Sequence, residues 1–395
     1  VFVPFALPGE RVRLALTEEK RGYARARLLE VVEASPDRIA PRCKHFGYCG
    51  GCHYQHLPYE KQLRIKTEIL RQQLIRIGKL PDPPLRPIVP NPNAWNYRNH
   101  VQFHLTLQGR LGYVFVEPQQ GCAPPGPGPT VCPIDECHLP EEPLNALWPS
   151  LEFEAGLDLE RVSLRLGADD QAMLLLESES ASLPAVEIEA GLSVVHLHGD
   201  HPVVLAGEPH IFFRVRQRLF RVSAASFFQV NTPMAERMVE HLLEHLPVTA
   251  SATLLDVYCG VGLFSAFFAP LCGRLIGVEA SPAACDDFVV NLDEFDHVEL
   301  YQAPAEQALP TLADALPAGS VVIVDPPRAG LHPTALHALL RLRPAHLAYV
   351  SCDPATLARD TARLLRAGYR LDHVTPFDLF PQTYHIESIS LFTAT

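Results

Sequence analysis

The sequence predicts an α/β multidomain protein that ends in a doubly wound parallel sheet. Three observations lead there. After residue 250 the short apolar runs TLLDVY, RLIGVE, VVIVD and HLAYVS recur with helical segments between them. Strands that are apolar throughout and alternate with helices describe a parallel sheet covered on both faces. Residues 1–40 instead alternate apolar and polar positions around a Pro8-Gly9 turn, the pattern of a small β-rich domain. The 395 residues suit two or three domains at ~150 residues each. A chain that is 47% hydrophobic and 20% charged can bury several cores, which excludes wholesale disorder.

The N-terminal strands VFVPFA, RVRLAL and ARARLLEVV begin at Val1, not Met, so the start is expected to be truncated or processed, with an earlier strand missing. Residues 58–78 read as a helix, from Pro58 to the stop at Gly78. Its apolar stripe is Leu63, Ile69, Leu70, Leu74 and Ile77, and Lys61, Arg64, Lys66, Arg71 and Arg76 cover the rest. Six prolines between 81 and 93 mark a linker or extended boundary, and residues 118–130 form a Pro/Gly loop. From 95 to 228 mixed strands and a few helices are expected. There the run Phe212–Arg221 alternates and sets Arg214, Arg216 and Arg218 on one face, either a solvated edge strand or a surface for phosphate. HVTPFDLF and ESISLFTA read as a terminal strand pair.

Net charge is −12, yet it is unevenly placed. Residues 11–86 carry 16 Lys and Arg against 8 Asp and Glu, while the rest of the chain is strongly acidic. A basic front on an acidic body suggests a localised polyanion site. No stretch approaches the ~18 apolar residues of a membrane span, and no secretory signal segment opens the chain. Ten Cys in so long a chain do not describe a secreted disulfide scaffold, and a reducing cytoplasm is expected. Cys43, Cys49 and Cys52 fall within ten residues, with Gly50 and Gly51 able to wrap a tight loop around a metal centre. Four-thiol ligation of an iron–sulfur cluster needs a further donor, for which Cys122, Cys132 and Cys137 are candidates.

The strand Leu254–Val257 runs into Tyr258-Cys259-Gly260-Val261-Gly262, a glycine turn that lets a ligand approach the backbone closely. Glu279 ends the next strand, where a carboxylate can accept both hydroxyls of a ribose. The pair suits S-adenosylmethionine or a nucleotide. Asp325-Pro326-Pro327-Arg328 follows the strand VVIV, and Ser351-Cys352-Asp353-Pro354 follows LAYV. Strand ends at the carboxyl edge of such a sheet line the ligand crevice, so Asp325 and Cys352 should open into one site.

Taken together, LPGERVR, CKHFGYCGGCHYQHLPYEKQLRIK, NYRNHVQF, SFFQVN, DVYCGVGLFS, DPPRAG, SCDP and HIES resemble the bacterial RNA uracil-5-methyltransferase family over essentially the whole chain. The likeness is strongest to its iron–sulfur members that modify 23S ribosomal RNA. It implies a TRAM-like (OB-like) RNA-binding β-barrel, incomplete here, at 1–40 and an iron–sulfur segment with a basic helix at 41–86. A central α+β RNA-binding domain follows at 87–228, and a Rossmann-like class I methyltransferase domain at 229–395. By the same resemblance Cys352 is the nucleophile and Glu387 the base. Gln229, Tyr258, Glu279 and Asp325 line the methyl-donor site, and Cys43, Cys49, Cys52 and Cys137 hold a [4Fe-4S] cluster, with Cys132 as the other choice for the fourth ligand. The implied partner is 23S rRNA, or alternatively tRNA, bound by a monomer. Two positions depart from the family pattern: Asp353, usually Asn, and Leu263, commonly polar. Asp353 is expected to bond backbone and not to face the sulfur. Two other readings are a methyltransferase acting on an exocyclic amine through the DPP loop, and an iron–sulfur RNA-binding module without turnover.

Overall fold

The computed structural model describes residues 1–116, 130–184, 187, 191–199, 201–317 and 319–395. The Pro/Gly loop expected at 118–130, and Cys122 within it, therefore lie outside the described residues except for Thr130. At the N-terminus β1 (Arg11–Lys20) and β2 (Tyr23–Glu33) form an antiparallel hairpin. The strand expected at residue 1 is reduced to a single bridge, Phe2 to Arg25. Residues 1–40 thus supply a two-stranded hairpin and no closed barrel. Arg11 and Arg13 pair with Glu33 and Glu30 across it.

The helix α1 (Tyr59–Arg76) buries Gln62, Lys66, Leu70 and Leu74, a row of every fourth residue. This corrects the expected stripe: Ile77 is exposed, and Lys66, expected on the polar face, is fully buried. In the central region β3 (His100–Leu105), β4 (Leu111–Val114), β5 (Val131–Pro133), β6 (Arg161–Leu166), β7 (Ala172–Ser178), β8 (Leu192–His198) and β9 (His201–Ala206) form one sheet in the order β5-β4-β3-β6-β7-β8-β9. The helix α2 (Glu142–Leu147) packs against β6.

The run Phe212–Arg221 is not one strand. It divides into β10 (His210–Val215) and β11 (Arg218–Ser223), an antiparallel hairpin that turns at Arg216 with φ 54°. The three arginines therefore do not share one face of a single strand: Arg216 sits at the turn, while Arg214 and Arg218 border one hollow with Arg221. Arg214 pairs with Asp169, Arg218 with Glu294 and Arg221 with Asp287.

The C-terminal region runs α3 (Thr232–His245), β12 (Thr253–Val257), α4 (Leu263–Phe268), β13 (Arg274–Glu279), α5 (Pro282–Asn291), β14 (Val298–Gln302), α6 (Ala305–Ala315), β15 (Val321–Val324), α7 (Pro333–Leu342), β16 (His346–Ser351), α8 (Pro354–Arg366), β17 (Tyr369–Phe377) and β18 (Glu387–Ala394). Its sheet has the order β14-β13-β12-β15-β16-β18-β17. All neighbours are parallel except β18, which runs antiparallel between β16 and β17. This is the Rossmann-like sheet that the sequence resemblance implies for the C-terminal domain.

Two apolar cores cover the sheet. One joins β10, β11, α3 and α4 to one face, so the hairpin at 210–223 packs with the C-terminal domain. The other joins α6, α7, α8 and, from α1, Leu70 and Leu74. Burying two leucines fully is worth about 3–6 kcal/mol, enough to dock α1 on α8. The proline stretch is docked as well. Leu85 and Val89 bridge to Val374 and Phe377, and the Arg86 and Val89 amides donate to the carbonyls of Val374 and Pro376. Proline tolerates the rim of a sheet, where its missing N–H costs no ladder bond. The segment expected to be a linker or an extended boundary is therefore extended and adds an edge to the C-terminal sheet.

Candidate active site and thiol cavity

The strand order brings the candidate residues to one edge. The parallel registers Val257–Val278 and Val257–Val324 set Tyr258, Glu279 and Asp325 at adjacent strand ends. Because β18 is antiparallel, it starts where β16 ends, and Ser351 pairs with Ser388. Cys352 and Glu387, 35 residues apart in sequence, are thereby neighbours.

The turn after β12 is strained on purpose. Tyr258 has φ 65°, a conformation that non-glycine residues rarely adopt, and its amide donates to the Val278 carbonyl at 2.8 Å. Gly262 has φ 90°, and a Cβ there would lie 2.5 Å from Leu292, so glycine is required. Glu279 accepts from the amides of Gly260 at 2.9 Å, Ala280 at 2.7 Å and Ser281 at 2.8 Å, which locks its carboxylate beneath the turn. One oxygen of buried Asp256 bonds Ser265, while Oδ1 has no hydrogen-bond partner among the described residues. Burial pushes the Asp256 carboxyl up to about 6. The cradle fits a methyl donor of the S-adenosylmethionine type: a glycine turn, a fixed carboxylate and a polar atom awaiting a donor. Gln229 lies on the segment that leads into α3. Its carbonyl accepts from Asn99, and its side-chain amide makes no hydrogen bond among the described residues.

Beside the cradle, burial first, and the neighbouring Asp256 second, push Asp325 up to about 7. Burial and then Asp325 hold Glu387 well above the usual carboxylate range, opposed by Arg328 and Lys66. Burial, then Glu387 and Asp325, push the Cys352 thiol up to about 11, and Arg328 opposes this too. The crevice therefore gathers a partly exposed thiol, two carboxyls in a low-dielectric setting and one guanidinium. A thiol and a basic carboxylate side by side are the parts of nucleophilic addition followed by proton removal. Arg328, whose Nη2 lies 3.3 Å from His385 Nδ1, was visible in the sequence only as part of its motif. Asp353 caps α8, accepting from the amides of Ala355 at 3.0 Å and Thr356 at 2.8 Å, so it bonds backbone as expected. Leu263 is buried in the core and offers no polar group to a ligand.

The second grouping lies in the N-terminal half. Cys43, Cys49, Cys52 and Cys137 line one cavity, with Gly51, Tyr113 and Leu139 among the walls. Gly50 makes the loop possible. Its amide donates to the Val114 carbonyl at 2.9 Å, and a Cβ would sit 2.5 Å from that oxygen. Lys44 and His45 bond Asp135 at 2.8 and 2.7 Å, and the Lys44 amide donates to Glu136 at 2.8 Å, stapling the loop to the segment of Cys137. The His45 and Gly51 amides donate to the sulfurs of Cys43 and Cys49, each at 3.4 Å. Burial pushes the Cys43 thiol up to about 11 and that of Cys52 to about 12, and raises those of Cys49 and Cys137. Cys132 lies on β5 with its thiol donating to the Pro133 carbonyl, and it does not line the cavity. Among the described residues no set of three or more His, Cys, Asp or Glu side chains is gathered to hold a metal ion. Four thiols thus line one cavity, two of them, Cys43 and Cys49, accepting from backbone amides.

Comparison with known proteins gives the relatives of the chain. Residues 210–395 match the family described as tRNA (Uracil-5-)-methyltransferase. An uncharacterized RNA methyltransferase of Chlorobaculum tepidum is 32% identical over 98% of this chain and 89% of its own. One from Thermosynechococcus vestitus is 35% identical over 100% and 93%. Among solved structures, the tRNA (uracil-54, C5)-methyltransferase of Pyrococcus abyssi in complex with S-adenosyl-L-homocysteine superposes with a TM-score of 0.73. It is 24% identical, over 99% of this chain and 95% of that one, and is a likeness of fold. Among the described residues no helix is long and apolar enough to cross a membrane.

Proposed function

Since the chain belongs to the RNA (uracil-5-)-methyltransferase family, whose enzymes depend on S-adenosylmethionine, we propose that it methylates C5 of a uridine in transfer RNA through Cys352 and Glu387. The observation that carries the mechanism is the β16–β18 register, which sets the thiol beside the carboxyl. Uracil C5 is a weak nucleophile until a thiolate adds to C6 and gives the ring enolate character. Cys352 makes that addition, and Arg328 is the cation that favours its thiolate. Tyr258, Glu279, Asp325 and Gln229 hold the methyl donor, which supplies an electrophilic carbon to C5. Glu387 then takes the C5 proton so that Cys352 can leave. A carboxyl held well above its usual range is a stronger base once ionised, which suits a carbon acid.

The sequence resemblance favours 23S RNA. The matched family and the solved neighbour are described by transfer RNA, and this makes tRNA the first substrate to test. The thiol cavity keeps 23S RNA as the second reading, because the iron–sulfur members are those that the segment resembles. Cys43, Cys49, Cys52 and Cys137 would hold a [4Fe-4S] cluster that organises the loop beside the basic hairpin for RNA binding. When bound, such a cluster supplies structural cross-linking without redox chemistry at uracil. A target in folded RNA must be turned out of its stack to reach Cys352. The test is transfer of labelled methyl groups to unmodified tRNA and 23S RNA, with the product nucleotide mapped. Label in 5-methyluridine of tRNA is expected. Label confined to 23S RNA would replace the first substrate with the second, and label on a nitrogen would sink the mechanism.

A further inference from the structure

We propose that Gln62 and Gln382 form a latch that positions Glu387 for removal of the C5 proton, so that the N-terminal half of the chain controls release of the product. The inference rests on Glu387 being the base. It starts from the loop between β17 and β18, which delivers Glu387 to the crevice. Four successive carbonyls of that loop are each held from outside it. Asn231 Nδ2 donates to Leu379 at 2.8 Å, Lys66 Nζ to Phe380 at 2.9 Å, and Tyr97 Oη to Pro381 at 2.9 Å. The fourth, Gln382, takes the amides of His53 at 2.7 Å and Tyr54 at 3.0 Å, the two residues directly after the thiol Cys52.

The Gln382 side chain and amide close a reciprocal pair with α1. Gln62 Nε2 donates to Gln382 Oε1, and the Gln382 amide donates to Gln62 Oε1, both at 3.0 Å. Gln382 has φ 68°, a conformation that a glutamine keeps only when its surroundings over-determine it. Both side chains are buried. A loop needing only to connect two strands requires none of this. A loop that must hold a base against a carbon-bound proton does, because proton transfer demands the acceptor within hydrogen-bond reach.

The step concerned is specific. In the methylated adduct C5 still bears its proton and C6 bears the Cys352 sulfur. The base takes the proton, the C–H electron pair forms the C5=C6 double bond, and the C6–S bond breaks with its pair leaving on sulfur. A misplaced Glu387 leaves addition and methyl transfer intact and stalls this last step. Gln62 and Gln382 are positioning residues, so their loss should trap the enzyme on its own product.

The experiment uses the full chain, labelled methyl donor and unmodified RNA. Methylated protein–RNA adduct is quantified by denaturing gel, separately from released 5-methyluridine. Gln62→Met keeps the bulk of α1, and Gln382→Gly removes the side chain while accepting the positive φ, so the pair guards against simple misfolding. A general base contributes roughly 10²–10⁴-fold, and partial displacement should slow adduct resolution about tenfold or more, with adduct formation changed less than about threefold. Covalent methylated RNA should then accumulate in both variants. Equal slowing of formation and resolution, or resolution at the wild-type rate, would overturn the latch. A wild-type chain that never forms 5-methyluridine would overturn the functional reading beneath it.

Discussion

The crevice and the thiol cavity are built from the same kinds of groups by opposite means. The crevice takes one residue from each of several strand ends, and the sheet alone brings them together. The thiol cavity takes three residues from one loop and Cys137 from far along the chain, and ion pairs and amides hold them without a shared regular element. Burial raises the thiol at both, to about 11 at Cys352 and about 11 and 12 at Cys43 and Cys52. At the crevice one thiol needs to ionise only when substrate arrives, next to Arg328. At the cavity four thiols would have to ionise together, which a bound metal group makes favourable and an empty cavity does not.

The largest effects are expected at Cys352 and Glu387. Cys352→Ala should abolish methyl transfer. Glu387→Gln should lower turnover about 10²–10⁴-fold while leaving methylated adduct on the protein, seen as a shifted band on a denaturing gel. A Cys352→Ala chain that still methylates would place the chemistry elsewhere. Next in size is the ion pair that ties α1 to the loop after β17, Lys66 Nζ to Asp378 Oδ1 at 2.6 Å with both side chains fully buried. Lys66→Met leaves a buried carboxylate unpaired and should cost about 3–5 kcal/mol in denaturant unfolding, much of it restored by Asp378→Leu on the same chain. A loss under 1 kcal/mol would show that α1 docks without the pair.

The cavity gives a sharper, smaller test. Cys52→Ser and Cys137→Ser should lower the iron and sulfide carried per chain, and Cys132→Ser should not, because only the first two line the cavity. The smallest effect belongs to Arg328. Arg328→Gln removes the cation that favours the Cys352 thiolate, so the thiol should rise further. Adduct formation, which increases with pH as the thiolate forms, should then need a higher pH for the same rate. An unchanged profile would remove Arg328 from that role.

The legibility of the two regions differs for the same reason. Asp325, Cys352 and Glu279 could be read from the sequence because each follows an apolar strand, and parallel sheets place such ends at one edge. Asp353 as a helix cap could be read because its side chain has only local partners. Lys66, Gln62 and Asp378 could not. A lysine on an amphipathic helix reads as solvated, and its burial depends on a partner 312 residues away. The tight turn at Arg216 was hidden because no glycine marks it, and an alternating run reads equally as one strand or two. The proline stretch reads as a linker or an extended boundary, and its docking is not legible because sheet edges accept proline without any pattern of their own.

The proposed reaction turns on attack of Cys352 at uracil C6 beside a cradle for the methyl donor. The most direct measurement is incubation of the full chain with RNA carrying 5-fluorouridine in place of uridine, together with S-adenosylmethionine. Fluorine at C5 cannot leave as a proton, so a covalent intermediate should be trapped. A methylated protein–RNA adduct is expected, with the bond mapped by peptide analysis to Cys352, and no adduct with Cys352→Ala. A fully active enzyme that forms no such adduct, or one attached through another residue, would contradict it.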